Sequence, residues 1–323
     1  MLQDSTDYTN RIDVIMRILC LGAGAVGGYF GARLIEAGAD VTFLVRPIRR
    51  KALDERGLRV ESCYGNFEKP VRAVVSAELR EPFDIVLLTC KAYDLQDAIA
   101  TVSPAIGSQS AVLPVLNGIA HIETLNAVFG PGRVLGGAVK ISATVDGGTI
   151  RHLNDWNFIS FGEPDGSMSE RVRALQSAFG EGPVVARAVP NIMQVMWDKF
   201  VHLATIAGMT GAMRANVGEI VRTQEGAALL MEFLERNAEI AAREGFPLDP
   251  AVMKEYRTMV SNAASPQAAS MLRDIERGGE IEASHVIGHM LQKARTHGVD
   301  ATLLRMVFAH LQAYEQRRAT QRL

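Results

Sequence analysis

Residues 18–31 read Ile-Leu-Cys-Leu-Gly-Ala-Gly-Ala-Val-Gly-Gly-Tyr-Phe-Gly, and this stretch decides the fold. A short apolar run, Ile18 to Leu21, leads into Gly22, Gly24 and Gly27 with G-x-G-x-x-G spacing, and an amphipathic segment, Val26 to Ala37, follows at once. In a strand–turn–helix that holds a pyrophosphate, Gly22 makes the tight turn, Gly24 lets the backbone approach the phosphates, and Gly27 lets the helix lie close to the strand. The exposed N–H groups and the dipole at the helix start attract the anion. The loop Gly22-Ala23-Gly24-Ala25-Val26-Gly27 is therefore the candidate cradle for a dinucleotide. The glycine spacing alone is weak evidence and also fits a purely structural turn. Here a strand precedes it, a helix closed by Gly38 follows, and a second strand, Asp40 to Val45, comes next, which is the context the dinucleotide reading requires.

NAD-binding versions of this unit usually carry Asp or Glu at the end of the second strand, bonded to the ribose hydroxyls. This chain reads Val41-Thr42-Phe43-Leu44-Val45-Arg46-Pro47 there, with Arg49, Arg50 and Lys51 close behind. A carboxylate would repel a 2′-phosphate, whereas a guanidinium binds it bidentately. Arg46 thus favours NADP(H) over NAD(H). Some of Arg49, Arg50 and Lys51 are expected to form only a solvated helix face.

The chain has 323 residues, enough for two ordinary domains, and is 48% hydrophobic, enough for a large core. Its 34 basic and 36 acidic residues leave a net charge of −2, which gives no sign of a nucleic-acid or anionic-membrane partner. Cys20, Cys63 and Cys90 are widely spaced and odd in number. That argues against a disulfide framework or a zinc site and for a reducing, cytoplasmic setting. No apolar run reaches the ~18 residues that span a bilayer. Residues 1–15 are polar, mixed in charge and without the apolar centre of a signal peptide, and are expected to be a disordered extension.

Strand-like and helix-like segments alternate through the first half. Asp84 to Lys91 is a continuous apolar run, as expected of a central parallel strand covered on both faces, and Ala111 to Leu116 is another, ending in Asn117-Gly118. Segments 134–145, 149–153 and 158–161 read as strands that extend the same sheet with antiparallel partners. From Asn191 the strand signals vanish and helical periodicity runs almost to the end. The expected architecture is α/β: an N-terminal doubly wound Rossmann-type domain, 16–189, followed by an all-helical domain, 190–323. The apolar faces of the helical half could serve a homodimer as well as a core.

Two-domain dehydrogenases bind substrate between their domains, beside the carboxyl ends of the parallel strands. Lys91 and Asn117 stand at two such ends. As isolated residues they would read as a solvated loop lysine and a turn asparagine. Residues 195–204, Val-Met-Trp-Asp-Lys-Phe-Val-His-Leu-Ala, form a helix that is apolar nearly all round, with Lys199 as its only lysine. Burial there lowers an ammonium towards the working range of a proton donor, which carbonyl reduction needs. The small residues Ala207, Gly208, Thr210 and Gly211 suit close helix packing. Glu282, His285 and His289 have a spacing that can ligate a metal, but no second copy exists, and no metal site is expected.

With these residues in view, the chain resembles the ketopantoate reductase (2-dehydropantoate 2-reductase) family over about 16–315. The resemblance rests on residues 22–34, Leu44-Val45-Arg46, Thr89-Cys90-Lys91-Ala92-Tyr93, Leu116-Asn117-Gly118, Trp197-Asp198-Lys199-Phe200, and Ser270-Met271-Leu272-Arg273-Asp274 with Glu282 twelve residues after Ser270. It implies Lys199 as the general acid that protonates the nascent C2 alkoxide. Asn117 would position substrate, lysine and nicotinamide, Glu282 would orient substrate or lysine, and Ser270 would contact the substrate carboxylate. Arg46 and Lys91 would bind the NADP phosphate or ribose region. Pantoate-forming members usually carry asparagine four and eight residues after the lysine, whereas this chain has Leu203 and Ala207. Losing such polar partners changes substrate preference. The expectation is an NADPH-dependent reductase of a 2-oxo acid or related ketone, either ketopantoate itself or a more apolar relative. The competing class is a non-catalytic NADP(H)-binding sensor or scaffold, which would need only the nucleotide half.

Overall fold

The computed structural model describes residues 16–322, and the extension expected over residues 1–15 lies outside them. Strands and helices alternate through β1 (Arg17–Leu21), α1 (Ala25–Glu36), β2 (Asp40–Leu44), α2 (Pro47–Arg56), β3 (Leu58–Glu61), β4 (Phe67–Lys69), β5 (Arg72–Val74), β6 (Ile85–Leu88), α3 (Leu95–Val102), β7 (Ala111–Pro114) and α4 (Ala120–Phe129). There follow β8 (Gly136–Asp146), β9 (Thr149–Gly162), α5 (Glu170–Ala178) and β10 (Val185–Ala188).

Five strands form a wholly parallel sheet in the order β5-β2-β1-β6-β7. Its central strands are apolar throughout because both faces are covered. Ile18, Cys20, Phe43, Ile85 and Leu87 pack under α1, and Leu19, Val86, Leu88 and Val112 pack towards α3, α4 and the helical half. The order reverses between β1 and β6, so a crevice opens at their carboxyl ends, where such sheets bind ligands.

The strands after residue 134 do not extend this sheet with antiparallel partners, as their sequence suggested. Among the described residues the one pairing with it is a parallel bridge between Val134 and Val112. β8 and β9 instead form a long antiparallel hairpin in a second, mixed sheet, ordered β10-β9-β3-β4 with β8 on β9. Along much of β9 buried and exposed residues alternate, which suits a sheet with one wet face rather than a place in the fully covered parallel sheet. α1 lies between the two sheets. β3, β4 and β5 escape detection in the sequence because each is only three or four residues long and charged (Leu-Arg-Val-Glu, Phe-Glu-Lys, Arg-Ala-Val).

Beyond Asn191 every element is helical: α6 (Ile192–Met213), α7 (Val217–Val221), α8 (Gly226–Arg243), α9 (Pro250–Val260), α10 (Ser270–Glu276), a π-helical turn (Ser284–Gly288), α11 (His289–Thr296) and α12 (Thr302–Ala319). Asn216 and Glu219 cap α7 reciprocally, and Asp249 caps α9 with Pro250 at its first position. α6 is the axis of this half. Trp197, Phe200, Val201 and Ala204 are buried, each large side chain contributing about 1.5–3 kcal/mol by burial. A Cβ on Gly208 would lie 2.9 Å from Phe233 of α8 and 3.0 Å from Ile287, so this glycine serves close packing. The first turns of α6 press on β8, where a Cβ on Gly136 would meet Ile192 at 2.8 Å. This contact sets the position of Lys199 relative to the parallel sheet. Among the described residues no helix is long and apolar enough to cross a membrane.

Candidate active site

The glycine loop joins β1 to α1 at the crevice. Gly22 has φ +92°, which favours glycine, and its N–H donates to Leu44 of β2 at 2.9 Å. A Cβ on Gly27 would lie 2.4 Å from the Gly22 carbonyl oxygen and 2.5 Å from Thr89 Oγ1, so helix, strand and the end of β6 close up only around a hydrogen atom. Gly24, which precedes α1, is different: nothing lies within 4 Å of an added Cβ. Ala25 and Val26 are half-buried at the helix start, and the first turn of α1 carries no acidic side chain. The result is an open, electropositive cradle beside Ala23 and Gly24 that fits a pyrophosphate.

Arg46 ends β2 and caps α2. Its side chain is 87% exposed, with Nη2 3.9 Å from Asp94 Oδ1. Lys51 pairs with Glu55 on α2, as a solvated face would, whereas Arg50 is half-buried and pairs with both Asp54 and Glu78. Arg49, also half-buried, reaches back instead to the Ala23 carbonyl oxygen at 3.1 Å.

Lys91, Asn117, Glu282 and Lys199 converge across the crevice. Glu282, 7% exposed, comes from the helical half and grips the ends of two parallel strands. Its Oε1 accepts the Ala92 N–H at 3.1 Å and its Oε2 the Asn117 amide at 3.3 Å. Lys91 Nζ donates to Asp274 Oδ2 at 3.0 Å and lies 3.6 Å from Glu282 Oε2. Burial works against the Lys91 ammonium, but Glu282 and Asp274 outweigh it, and its pKa is raised. Lys91 therefore pairs with the acidic cluster supplied by the helical half. Ser270 opens α10 one turn before Asp274, so the two share a helix face.

Lys199 lines a small pocket with Leu116, Gly118, Gly137, Ala138, Met196, Phe200 and Leu203. Apart from the amine, every lining side chain is apolar or absent. Burial pushes the ammonium down to about 8, with the Glu282 carboxylate opposing. Of the two positions where pantoate-forming relatives carry asparagine, Leu203 faces this pocket, whereas Ala207 is 1% exposed inside the helix packing.

Four residues at or beside the site, Asp274, Arg49, His121 and His285, carry no site role from the sequence alone. Asp274 could have been found as the residue one helical turn past Ser270. Arg49 was one of several adjacent basic residues. The pair His121 and His285 lies 164 positions apart, with His121 Nδ1 3.4 Å from His285 Nε2 and the rings stacked at 16°. His285 packs on Gly118, where a Cβ would lie 3.1 Å from its ring. Burial drives His121 down to about 3 and also lowers His285, so both rings are neutral beside the Asn117–Gly118 turn. Among the described residues no group of three His, Cys, Asp or Glu is arranged to hold a metal ion.

A parallel sheet whose first turn is a glycine loop faces a helical half that supplies a half-buried lysine and a buried carboxylate. Comparison with known proteins identifies the family. Residues 18–166 match the family described as ketopantoate reductase PanE/ApbA, and residues 191–315 match its C-terminal part. The chain is 37% identical over 302 residues to the uncharacterized oxidoreductase YkpB of Bacillus subtilis, covering 93% of this chain and 99% of that protein. It is 30% identical over 300 residues to 2-dehydropantoate 2-reductase of Archaeoglobus fulgidus, covering 91% and 97%. The crystal structure of 2-dehydropantoate 2-reductase from Methylococcus capsulatus superposes with a TM-score of 0.84 at 27% identity, covering 94% of this chain and 98% of that one. The chain belongs to the ketopantoate reductase family.

Proposed function

We propose that the protein is an NADPH-dependent reductase of a 2-oxo acid or closely related ketone, with residues 16–189 holding the nucleotide and 190–323 closing over the substrate. The loop from Gly22 to Gly27 would hold the pyrophosphate, and Arg46 would face the 2′-phosphate. When bound there, the nicotinamide supplies a hydride to the substrate carbonyl carbon. Lys199 donates its proton to the carbonyl oxygen as negative charge develops on it, so C–H and O–H bonds form and the C=O π bond is lost. Asn117 and the Glu282 carboxylate hold the reacting groups in register. The Glu282 carboxylate opposes loss of the Lys199 proton. Lys91 balances the paired acids, and Ser270 offers a hydroxyl to the substrate carboxylate. Lys199 recovers its proton from solvent after product leaves.

The observation that carries this reading is the half-buried Lys199 ammonium, lining the crevice pocket close to the Glu282–Asn117 pair. A sensor of nucleotide redox state would need neither. Leu203 in the lysine pocket points to substrates with an apolar substituent where pantoate-forming enzymes place a polar contact. The setting that fits is the reducing cytoplasm, where the thiols of Cys20, Cys63 and Cys90 stay free, and the apolar helical half suits a homodimer. The test is NADPH oxidation by the purified protein with a panel of 2-oxo acids that includes ketopantoate and branched aliphatic analogues. Turnover supports the reading, and ketopantoate as the best substrate would place the enzyme in pantothenate biosynthesis. Binding of NADPH with no carbonyl compound reduced would contradict it.

A further inference from the structure

Arg49 differs from Arg46 and Lys51 in its burial and from the equally half-buried Arg50 in having, among the described residues, no carboxylate partner. Arg46 and Lys51 have side chains 87% and 81% exposed, whereas Arg49 is half-buried. Its Nη2 donates to the Ala23 carbonyl oxygen at 3.1 Å, inside the glycine cradle. Its Nη1 donates to the Gly148 carbonyl oxygen at 3.3 Å, in the turn between β8 and β9. Arg50 beside it pairs with Asp54 and Glu78, but among the described residues no carboxylate lies within 4.0 Å of Arg49. Burial disfavours its charge without a counter-ion to offset that cost. A guanidinium with two of its five donors on carbonyls and no anion nearby is built to receive one. The site it touches is itself an anion cradle.

We propose that Arg49 is the second arm of a clamp on the adenosine 2′-phosphate, closing with Arg46 from the same side of α2. The proposal rests on the nucleotide reading given above. The pyrophosphate has its own donors at the start of α1, whereas the ribose hydroxyl side lies at the end of β2, where Arg46 caps α2. Arg49 is three residues further on, a neighbour on the helix surface. Without nucleotide its fork rests on two carbonyls. With the 2′-phosphate bound, Nη1 leaves Gly148 for a phosphate oxygen and gains a charge-assisted bond, while Nη2 stays on the loop.

Calorimetric titration of the full chain with adenosine 2′,5′-bisphosphate and with adenosine 5′-monophosphate tests this. Wild type, Arg46→Ala, Arg49→Ala and Arg49→Lys are compared. Arg49→Ala should weaken the bisphosphate by about 10- to 100-fold and leave the monophosphate within about twofold. Arg49→Lys should fall between, because a point charge replaces a planar fork. Equal loss for both ligands in Arg49→Ala would show that the side chain merely props the loop, and no loss would show that it is uninvolved; either overturns the clamp. A wild type that binds the two ligands equally also overturns it while leaving the nucleotide cradle standing. A wild type that binds neither ligand, nor NADPH or NADH, removes the nucleotide reading and the clamp together.

Discussion

The acidity of Lys199 makes the sharpest kinetic prediction. Burial brings the ammonium from 10.5 to about 8. That shift corresponds to about 3 kcal/mol of differential stability between its charged and neutral forms, at about 1.4 kcal/mol per pH unit. If the protonated amine is the acid in carbonyl reduction, kcat/KM follows its protonated fraction. About nine-tenths of the enzyme is competent at pH 7 and about one-tenth at pH 9, so the rate should fall about tenfold between them. A lysine at the ordinary value would lose only a few per cent over the same range. Alcohol oxidation needs the neutral amine and should rise over the window in which reduction falls. The assay is NADPH oxidation under limiting 2-oxo acid at closely spaced pH values, with nucleotide affinity measured in parallel to remove binding effects. A reduction profile flat to about pH 10, with nucleotide affinity unchanged, would refute the reasoning.

Other expectations follow from the same contacts. Gly24→Ala should fold with wild-type stability, since its Cβ meets no atom within 4 Å, yet should weaken nucleotide binding by filling the cradle, whereas Gly27→Ala, whose Cβ would lie 2.4 Å from the Gly22 oxygen, should lose about 1–3 kcal/mol in denaturant unfolding. Leu203→Asn should move kcat/KM towards ketopantoate and away from apolar 2-oxo acids by about 10- to 100-fold in their ratio, read from the substrate panel. Lys199→Met should abolish turnover and stabilise the fold, by as much as about 3 kcal/mol where water does not reach the amine. The sign follows from a folded pKa below the unfolded one: the charge is a cost below about pH 8 that fades as pH rises towards 10.5, so the variant's advantage should be largest near neutral pH and vanish in alkali.

The four longer strands of the parallel sheet, β1, β2, β6 and β7, were legible because they are largely apolar and the first turn needs glycine at fixed spacing, whereas its short edge strand β5 was not. Nor was the second sheet. β9 alternates buried and exposed residues and could equally have bordered the first sheet, and nothing local announces that the chain leaves one sheet for another after Val134. Lys199 stood out because it is the only lysine in a helix that is apolar nearly all round. Glu282 and Ser270 were not visible as functional from their own surroundings and entered only through the family resemblance. The structure shows why: Glu282 acts on Ala92 and Asn117, 190 and 165 positions away. Arg49 was hidden by its basic neighbours, since only the packing of α2 against the glycine loop separates it from the exposed Arg46 and Lys51 and from Arg50 with its carboxylate partners.

The central claim is that the amine of Lys199 faces the hydride-bearing ring across the crevice. A crystal structure with NADP bound measures this directly. The Lys199 Nζ should point at the space above the nicotinamide carbon that carries the hydride, on the same side as Asn117 and Glu282. An amine turned into open water and far from the ring would leave the reaction without its acid and contradict the account.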